Sequence, residues 1–346
     1  MLDIRRLHML KTVAARGSIT AAAQSLALSA GAVSQQLAAL RHDVGVDLLR
    51  PDGRTVALTE AGRVLLAHAD RIFAAMEEAE CAVATVKGKV GATATLAALP
   101  STVATIVAPA LTALGADHPQ LAVTCLVTDQ AQLRELTLGT VDVVLGQRYH
   151  HLPETTPKGI AVSPLLDDPL RVVTAGDESA DGCHERPVGL GELATHHLVV
   201  PPATTDCGQA ILHACHQAGF TPTTRYITAD IAAQLALARA GLATALIPQT
   251  AIDPTTPGIR TTPIEDHPIQ RLLFAATRHT ETTNPTTAAV IAALRTAARQ
   301  DRTTHLPAAL KTEPRTADEQ GQETRPPGAA SGHARSERGR HSGPCS

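Results

Sequence analysis

Ser18, Thr20 and Ser29 stand where helices are expected to begin, and hydroxyls beside free helix-start amides suit phosphate oxygens. Directly after Ser29 come Ala30, Gly31, Ser34 and Gln35. Small residues on a first helical turn let the helix sit deep in a major groove, where Ser34 and Gln35 can reach base edges or phosphates. Arg50 and Arg54 flank Asp52-Gly53, which places two guanidinium groups on a hairpin able to reach a sugar–phosphate backbone or a minor groove. The same residues also fit a helical hairpin used purely for packing, with Ser18 and Ser29 as ordinary caps.

A second set lies further along: Ser101, Thr102, Thr128, Asp129, Gln147, Pro202, Thr204, Thr228 and Pro248. Each falls at the carboxyl end of an expected strand or the start of an expected helix, where α/β sheets meet their ligands. Hydroxyls there suit a small carboxylate or another polar metabolite, although each residue singly also serves as a cap or turn. Arg148 is the nearest countercharge in the chain for an anion and equally fits a surface position.

Cys207, His213, Cys215 and His216 are close enough in sequence to raise a metal site or a redox switch. Eight residues on one helix rise about 12 Å, whereas a disulfide needs its Cα atoms within about 7 Å. Buried or incidental thiols are the plainer reading. The chain shows no G-x-S-x-G, H-E-x-x-H, P-loop or G-x-G-x-x-G, so no catalytic residue, resident cofactor or metal is assigned, and an enzyme is not expected.

These residues need elements to position them. Leu7, Leu10 and Val13 make one apolar helical face stopped by Gly17; Ser18 opens a second helix through Ala21-Ala22-Ala23. Ser29 opens a third, burying Val33, Leu37 and Leu40 and ending at Gly45. With the Asp52-Gly53 hairpin behind them, three helices describe a winged helix-turn-helix over 1–58. From Thr59 the stripe Leu65, Ala69, Ile72, Met76, Ala79, Val83, Val86 predicts one long amphipathic helix within 59–90. Its apolar seam packs on another helix, of the same chain or of a second copy.

Residues 91–302 alternate short apolar runs with helical patterns. Strands are expected at Thr93–Leu99, Leu121–Thr128, Val141–Gly146, Leu170–Thr174, His197–Pro201, Thr224–Thr228, Thr244–Pro248 and Arg271–Ala276. Helices are expected at Thr102–Asp117, Asp129–Leu138, Gly189–Leu193, Asp206–Ala218, Ala229–Ala240 and Pro285–Arg302. The alternation predicts an α/β body with a mainly parallel sheet.

Composition sets outer limits. The 346 residues carry a formal net charge of −3, distributed unevenly: nine Lys/Arg face six Asp/Glu over 1–71, and fourteen face twenty-one over 72–300. A mildly basic start on an acidic body suits an anionic partner. Three Phe, two Tyr and no Trp leave few platforms for stacking single-stranded bases. Six cysteines without a CxxC indicate neither a disulfide scaffold nor a zinc ribbon. The uncharged run from Val90 to Ala116 contains Pro100 and Pro109 and is too polar to span a bilayer, and no signal run opens the chain, so a cytoplasmic protein is expected. Residues 303–346 hold only Leu306 and Leu310 as large aliphatics and are expected to be disordered.

The run Gly17-Ser18-Ile19-Thr20-Ala21-Ala22-Ala23, then Leu26, Ala32-Val33-Ser34-Gln35-Gln36-Leu37, Leu40, Gly45-Val46-Asp47-Leu48-Leu49-Arg50 and Leu58-Thr59-Glu60-Ala61-Gly62 resembles the signature of LysR-type transcriptional regulators. Arg41 stands where that family usually has an acidic residue, and Leu49 where an aromatic is usual. Leu136-Thr137-Leu138-Gly139-Thr140-Val141-Asp142 resembles a run of the family's second domain. The resemblance implies a sequence-specific regulator of transcription that binds double-stranded promoter or operator DNA. Its long helix would pair two subunits in a homodimer or homotetramer, with RNA polymerase as a further partner. It also implies a periplasmic-binding-protein-like body of two α/β subdomains, 91–163 with 269–302 and 164–268, closing on a small-molecule co-inducer. Two rivals stay open: a redox- or metal-responsive regulator using Cys207 and Cys215, and a binding-protein-like enzyme carrying a DNA-binding head. A constitutive architectural protein is a third.

Overall fold

Asp3, Ser18 and Ser29 each cap a helix, accepting hydrogen bonds from Arg5 N and Arg6 N, from Ala21 N and from Ala32 N respectively. The helices that follow are α1 (Ile4–Arg16), α2 (Ile19–Ser25) and α3 (Ala30–Val44). Gly17 and Gly45 end α1 and α3 at φ of 75° and 78°, a left-handed conformation that favours glycine. The computed structural model describes residues 1–304 apart from 54, 88–89, 92, 129–132, 151, 154–155, 177–185 and 254. The chain divides into a compact unit, Met1–Leu306, and a second, Pro307–Ser346, which lies outside the described residues.

Strands β1 (Leu49–Asp52) and β2 (Thr55–Leu58) form the expected wing, pairing antiparallel from Leu49–Leu58 to Asp52–Thr55. The register keeps Asp52 in β1, paired with Thr55, and Gly53 beyond it supplies the positive φ of 61°. Leu7, Leu10, Val13, Val33, Leu37, Leu40 and Leu48 close one small core. The long helix α4 (Glu60–Lys87) then packs Leu65, Ala69 and Phe73 on it. A Cβ on Gly62 would lie 2.1 Å from the Leu48 carbonyl oxygen, so only glycine lets α4 start this close to the wing. The rest of the stripe leaves the core: Ile72, Met76, Val83 and Val86 are exposed, Val86 by 89%.

The body is a nine-stranded sheet ordered β4-β3-β5-β11-β6-β9-β7-β8, with β10 paired to β6. Its strands are β3 (Thr93–Ala98), β4 (Ala122–Val127), β5 (Val143–Tyr149), β6 (Ile160–Ala175), β7 (His197–Val200), β8 (Thr223–Ile227), β9 (Thr244–Pro248), β10 (Ile259–Pro263) and β11 (Gln270–Arg278). The expectation of a mainly parallel sheet is corrected: β3 runs parallel to β4 and β5, and β7 parallel to β8 and β9, but β6 and β11 run antiparallel to all their partners. The long pair β6–β11 thus joins two parallel layers. It passes from a core holding Leu166 and Leu273 to another holding Leu170 and Ile269.

The remaining α-helices are α5 (Ala108–Asp117), α6 (Leu133–Leu138), α7 (Asp206–Gln217), α8 (Ile231–Arg239) and α9 (Pro285–Thr304). The helix expected over Thr102–Asp117 starts earlier, as a 3-10 turn at Pro100–Thr102, and widens to a π-turn over Val103–Val107 before α5. Pro109 has no N–H to return to the preceding turn, and the widened turn absorbs that lost bond. Strand β6 is three times the expected length. Its Pro164 sits where the pairing with β11 shifts register at Leu273/Phe274, a bulge that needs no donor. Helix α9 runs to Thr304, two residues into the segment 303–346; the rest of that expected tail lies outside the described residues.

Candidate functional site

Two surfaces gather the polar side chains. The first is the exposed turn of α3. Ala30, Gly31, Ser34 and Gln35 are all exposed, while Val33, Leu37 and Leu40 on the opposite face are buried. Thr20 is exposed on α2, and Ser18 and Ser29 spend their hydroxyls on capping Ala21 N at 3.1 Å and Ala32 N at 3.2 Å. Arg50 is exposed on β1; Arg54 lies outside the described residues. The arrangement presents a short, smooth helix turn with one hydroxyl and one amide beside a cationic wing.

The second surface is the cleft where β5, β6, β9 and β11 bring the two parallel layers together. A cavity of about 50 Å³ is lined there by Ser101, Gln147, Pro201, Thr205, Cys207, Pro248 and Arg271, among others. Arg271, which is 2% exposed, organises it. Its Nη2 lies 2.6 Å and its Nε 2.7 Å from Asp168 Oδ2. Its Nη1 donates to Ser101 Oγ at 3.0 Å and to Gln147 Oε1 at 2.9 Å, and its Nη2 donates to Thr250 Oγ1 at 3.0 Å. Thr250 in turn donates its N and Oγ1 to the Asp168 carboxylate. Burial works hardest against the Arg271 charge, but the Asp168 carboxylate, together with Tyr149 and Cys207, outweighs it and raises the guanidinium above its ordinary value.

Of the residues expected to meet a ligand, the cleft brings together Ser101, Gln147 and Pro248. Thr102 is buried and donates to Leu99 O at 2.8 Å, so its hydroxyl serves the turn and does not face the cavity. Thr128 follows β4, its N donating to Ala98 O, and it is not among the lining residues. Pro202 and Thr204 also lie off the cavity; the capping hydroxyl of α7 is Thr205, one residue later, which donates to Pro202 O at 2.8 Å. Thr228 sits behind the lining, its carbonyl accepting from Gln234 Nε2 at 2.8 Å. Asp129 lies outside the described residues.

Arg148 is not the cleft's cation. Its guanidinium lies 4.7 Å from the Phe274 ring centroid and donates to Thr156 Oγ1 at 2.6 Å. Side chains alternate along a strand, so Arg148 and Gln147 point to opposite faces of β5. Arg271 and Asp168 were missed because an arginine opening an apolar strand reads as its solvated end. The available signal was paired opposite charges inside two otherwise apolar runs.

Cys207 and Cys215 both lie on α7, one near each end. Cys215 is buried, and burial pushes its thiol up to about 11. Cys207 lines the cavity; burial raises its thiol too, against the opposing pull of the Tyr149 hydroxyl and Arg271. Neither environment favours a thiolate near neutral pH. Among the described residues no three His, Cys, Asp or Glu side chains are placed to hold a metal ion.

Residues 4–63 match the bacterial regulatory helix-turn-helix protein, lysR family, and residues 87–299 match the LysR substrate binding domain. The nitrogen assimilation regulatory protein Nac of Escherichia coli (strain K12) is 28% identical over 201 residues, covering 58% of this chain but only 63% of the relative. The RuBisCO operon transcriptional regulator of Allochromatium vinosum is 30% identical over 214 residues, 61% of this chain and 67% of that protein. In fold, the chain is similar to a full-length OxyR variant from Pseudomonas aeruginosa, with a TM-score of 0.60 at 19% identity over 86% of this chain and 95% of that one. A peroxide-bound Corynebacterium glutamicum OxyR variant gives 0.53 at 22% identity over 90% and 98%. With the helix-turn-helix and substrate-binding domains matched in order, the chain belongs to the LysR family of bacterial regulatory helix-turn-helix proteins.

Proposed function

We propose that this chain is a cytoplasmic transcription regulator, not an enzyme, that reads duplex DNA through α3 and answers to a small polar effector in the Arg271 cleft. The observation that carries the reading is the exposed first turn of α3, with Ser34 and Gln35 turned away from the core beside the basic wing. Family membership supports it. In this reading 1–58 bind DNA, 59–90 form the linker, and 91–302 bind effector, divided as 91–163 with 269–302 and 164–268, with 303–346 as a tail. The exposed apolar half of α4 supports pairing of two copies, as homodimer or homotetramer. RNA polymerase is a further partner.

The cleft's chemistry limits the effector. Arg271 is already neutralised by Asp168, but Ser101 Oγ and Gln147 Oε1 accept from its outward Nη1 and could be displaced. A carboxylate or carbonyl oxygen taking their place would keep that donor satisfied. A cavity of about 50 Å³ has room for a water or two, far below the roughly 300 Å³ and more of typical ligand pockets. Binding a metabolite therefore requires the two layers to part, which gives the ligand differential contacts with two states.

The test is duplex binding measured against salt, on DNA recovered by footprinting or selection. Gln35→Ala is expected to relax preference at one base position by about 1–3 kcal/mol. Arg50→Ala is expected to weaken all duplexes alike and lower the salt slope by about one. Unchanged binding in both variants removes the reading.

A further inference from the structure

We infer that Arg16 and Glu135 are positioning residues that fix the orientation of the helix-turn-helix unit on the sheet-bearing body. The inference rests on the DNA-reading role proposed above. Arg16, at the carboxyl end of α1, puts Nη2 2.7 Å from Glu135 Oε2 on α6, with the two side chains only 24% and 17% exposed. Both ends are held. Arg16 Nη2 also donates to Ser25 Oγ at 3.0 Å, and Thr140 Oγ1 donates to Glu135 Oε2 at 2.7 Å. His8, two turns earlier on α1, brings Nε2 to 3.5 Å from Leu138 O.

The same short helix also meets the linker. Arg278 Nη1 donates to Leu136 O at 3.2 Å and to Val141 O at 2.9 Å, while its Nε lies 3.1 Å from Glu77 Oε1 on α4. Thr280 Oγ1 holds the other oxygen of Glu77 at 2.6 Å. On its inner face α6 buries Leu136 in a core with Val144 on β5 and Phe274 and Ala276 on β11. Those two strands carry Gln147 and Arg271 into the cleft. One six-residue helix therefore touches the reading unit, the linker through Arg278, and the strands that floor the effector cavity. A packed core passes on small displacements as rigid shifts, because it has no free volume to absorb them.

The contact leaves the reading face open. Ala30, Gly31, Ser34 and Gln35 stay exposed with Arg16 paired to Glu135, so the ion pair governs direction and not access. In an assembly of two copies, direction decides which distance between half-sites both reading helices can meet.

The experiment compares Glu135→Arg, Arg16→Glu and the double exchange with the unaltered full chain. Duplexes selected by the unaltered protein are resynthesised with the half-site distance changed base pair by base pair. The expected result is that Glu135→Arg lowers discrimination between spacings by about ten-fold with single half-site affinity retained, and that the double exchange restores it. Amide exchange of α1 and α6 in the free protein is read alongside, and should rise in Glu135→Arg and fall back in the double exchange. Glu135→Gln replaces the charge reversal should that variant melt well below the parent. Retained spacing preference, or unchanged exchange in both helices, overturns the inference. An unaltered protein that binds no duplex removes the DNA-reading role and with it this inference, whereas amide exchange still reports whether the helices dock.

Discussion

The Arg271 guanidinium and the Asp168 carboxylate form an ion pair at 2.6 Å, with the side chains 2% and 0% exposed, between the two strands that connect the layers of the body. Each strand contributes one charge: Asp168 from β6 and Arg271 from β11, directly opposite in the antiparallel register. The pair is therefore both a clamp on the crossover and the polar floor of the cleft.

Breaking that pair should cost more than removing it. Asp168→Ala leaves a buried guanidinium short of its partner and is expected to lower stability by about 3–5 kcal/mol. The double change Asp168→Leu with Arg271→Met replaces both charges by apolar groups and should recover most of that loss, while abolishing effector response. Denaturant melts of the single and double variants check this. Equal losses in both would mean that the pair itself, and not the orphaned charge, supplies the stability.

Ser101 and Thr102 are neighbours with different jobs. Ser101→Ala removes an acceptor from Arg271 inside the cavity. The lost hydroxyl is also the donor that an effector oxygen taking its place on Arg271 would accept from, so the response should weaken by about ten-fold, within the 1–3 kcal/mol typical of one unsatisfied partner. Thr102→Val removes only the bond to Leu99 O and should cost about 1 kcal/mol of stability with the response intact. A thermal-shift screen supplies the effector, and its titration against DNA binding by the two variants separates them. A response lost in Thr102→Val and kept in Ser101→Ala would reverse the assignment.

Stability should fall at alkaline pH. The Cys215 thiol titrates near 11 in the fold, above its unfolded value of about 8.5. A group whose folded pKa is raised contributes stability that is present below the unfolded value and lost as pH rises through the folded one. Between about pH 9 and pH 11 the unfolded chain has released this proton while the fold retains it, so stability declines by about 2 kcal/mol. Cys215→Ala should flatten that slope in melts across the same window, at the cost of a small cavity at all pH values. An unchanged slope would place the alkaline loss elsewhere.

The local signals were legible from sequence because their causes act over one helical turn or one hairpin. Ser18 and Ser29 cap the amides three residues ahead, Gly17 and Gly45 take the left-handed φ that stops a helix, and Gly53 turns the wing. The apolar period of α3 likewise fixed which face is buried, whereas that of α4 did so only at its start, at Leu65 and Ala69. The exposure of Ala30, Gly31, Ser34 and Gln35 follows from the period of α3 alone. Tertiary structure decided the rest. Arg271 meets Asp168 across 103 residues and Arg16 meets Glu135 across 119, separations over which no short-range preference operates. Whether a strand-end arginine is solvated or buried depends on which carboxylate the sheet register sets opposite it. Thr102 and Thr205 make the same point in opposite directions. Both sit at helix starts and both donate back three residues, Thr102 to Leu99 O and Thr205 to Pro202 O, but only the packing of two layers determines that Thr205 lines the cavity and Thr102 does not. A hydroxyl's neighbours along the chain set its capping role, and only long-range packing sets the surface that it shares with a ligand.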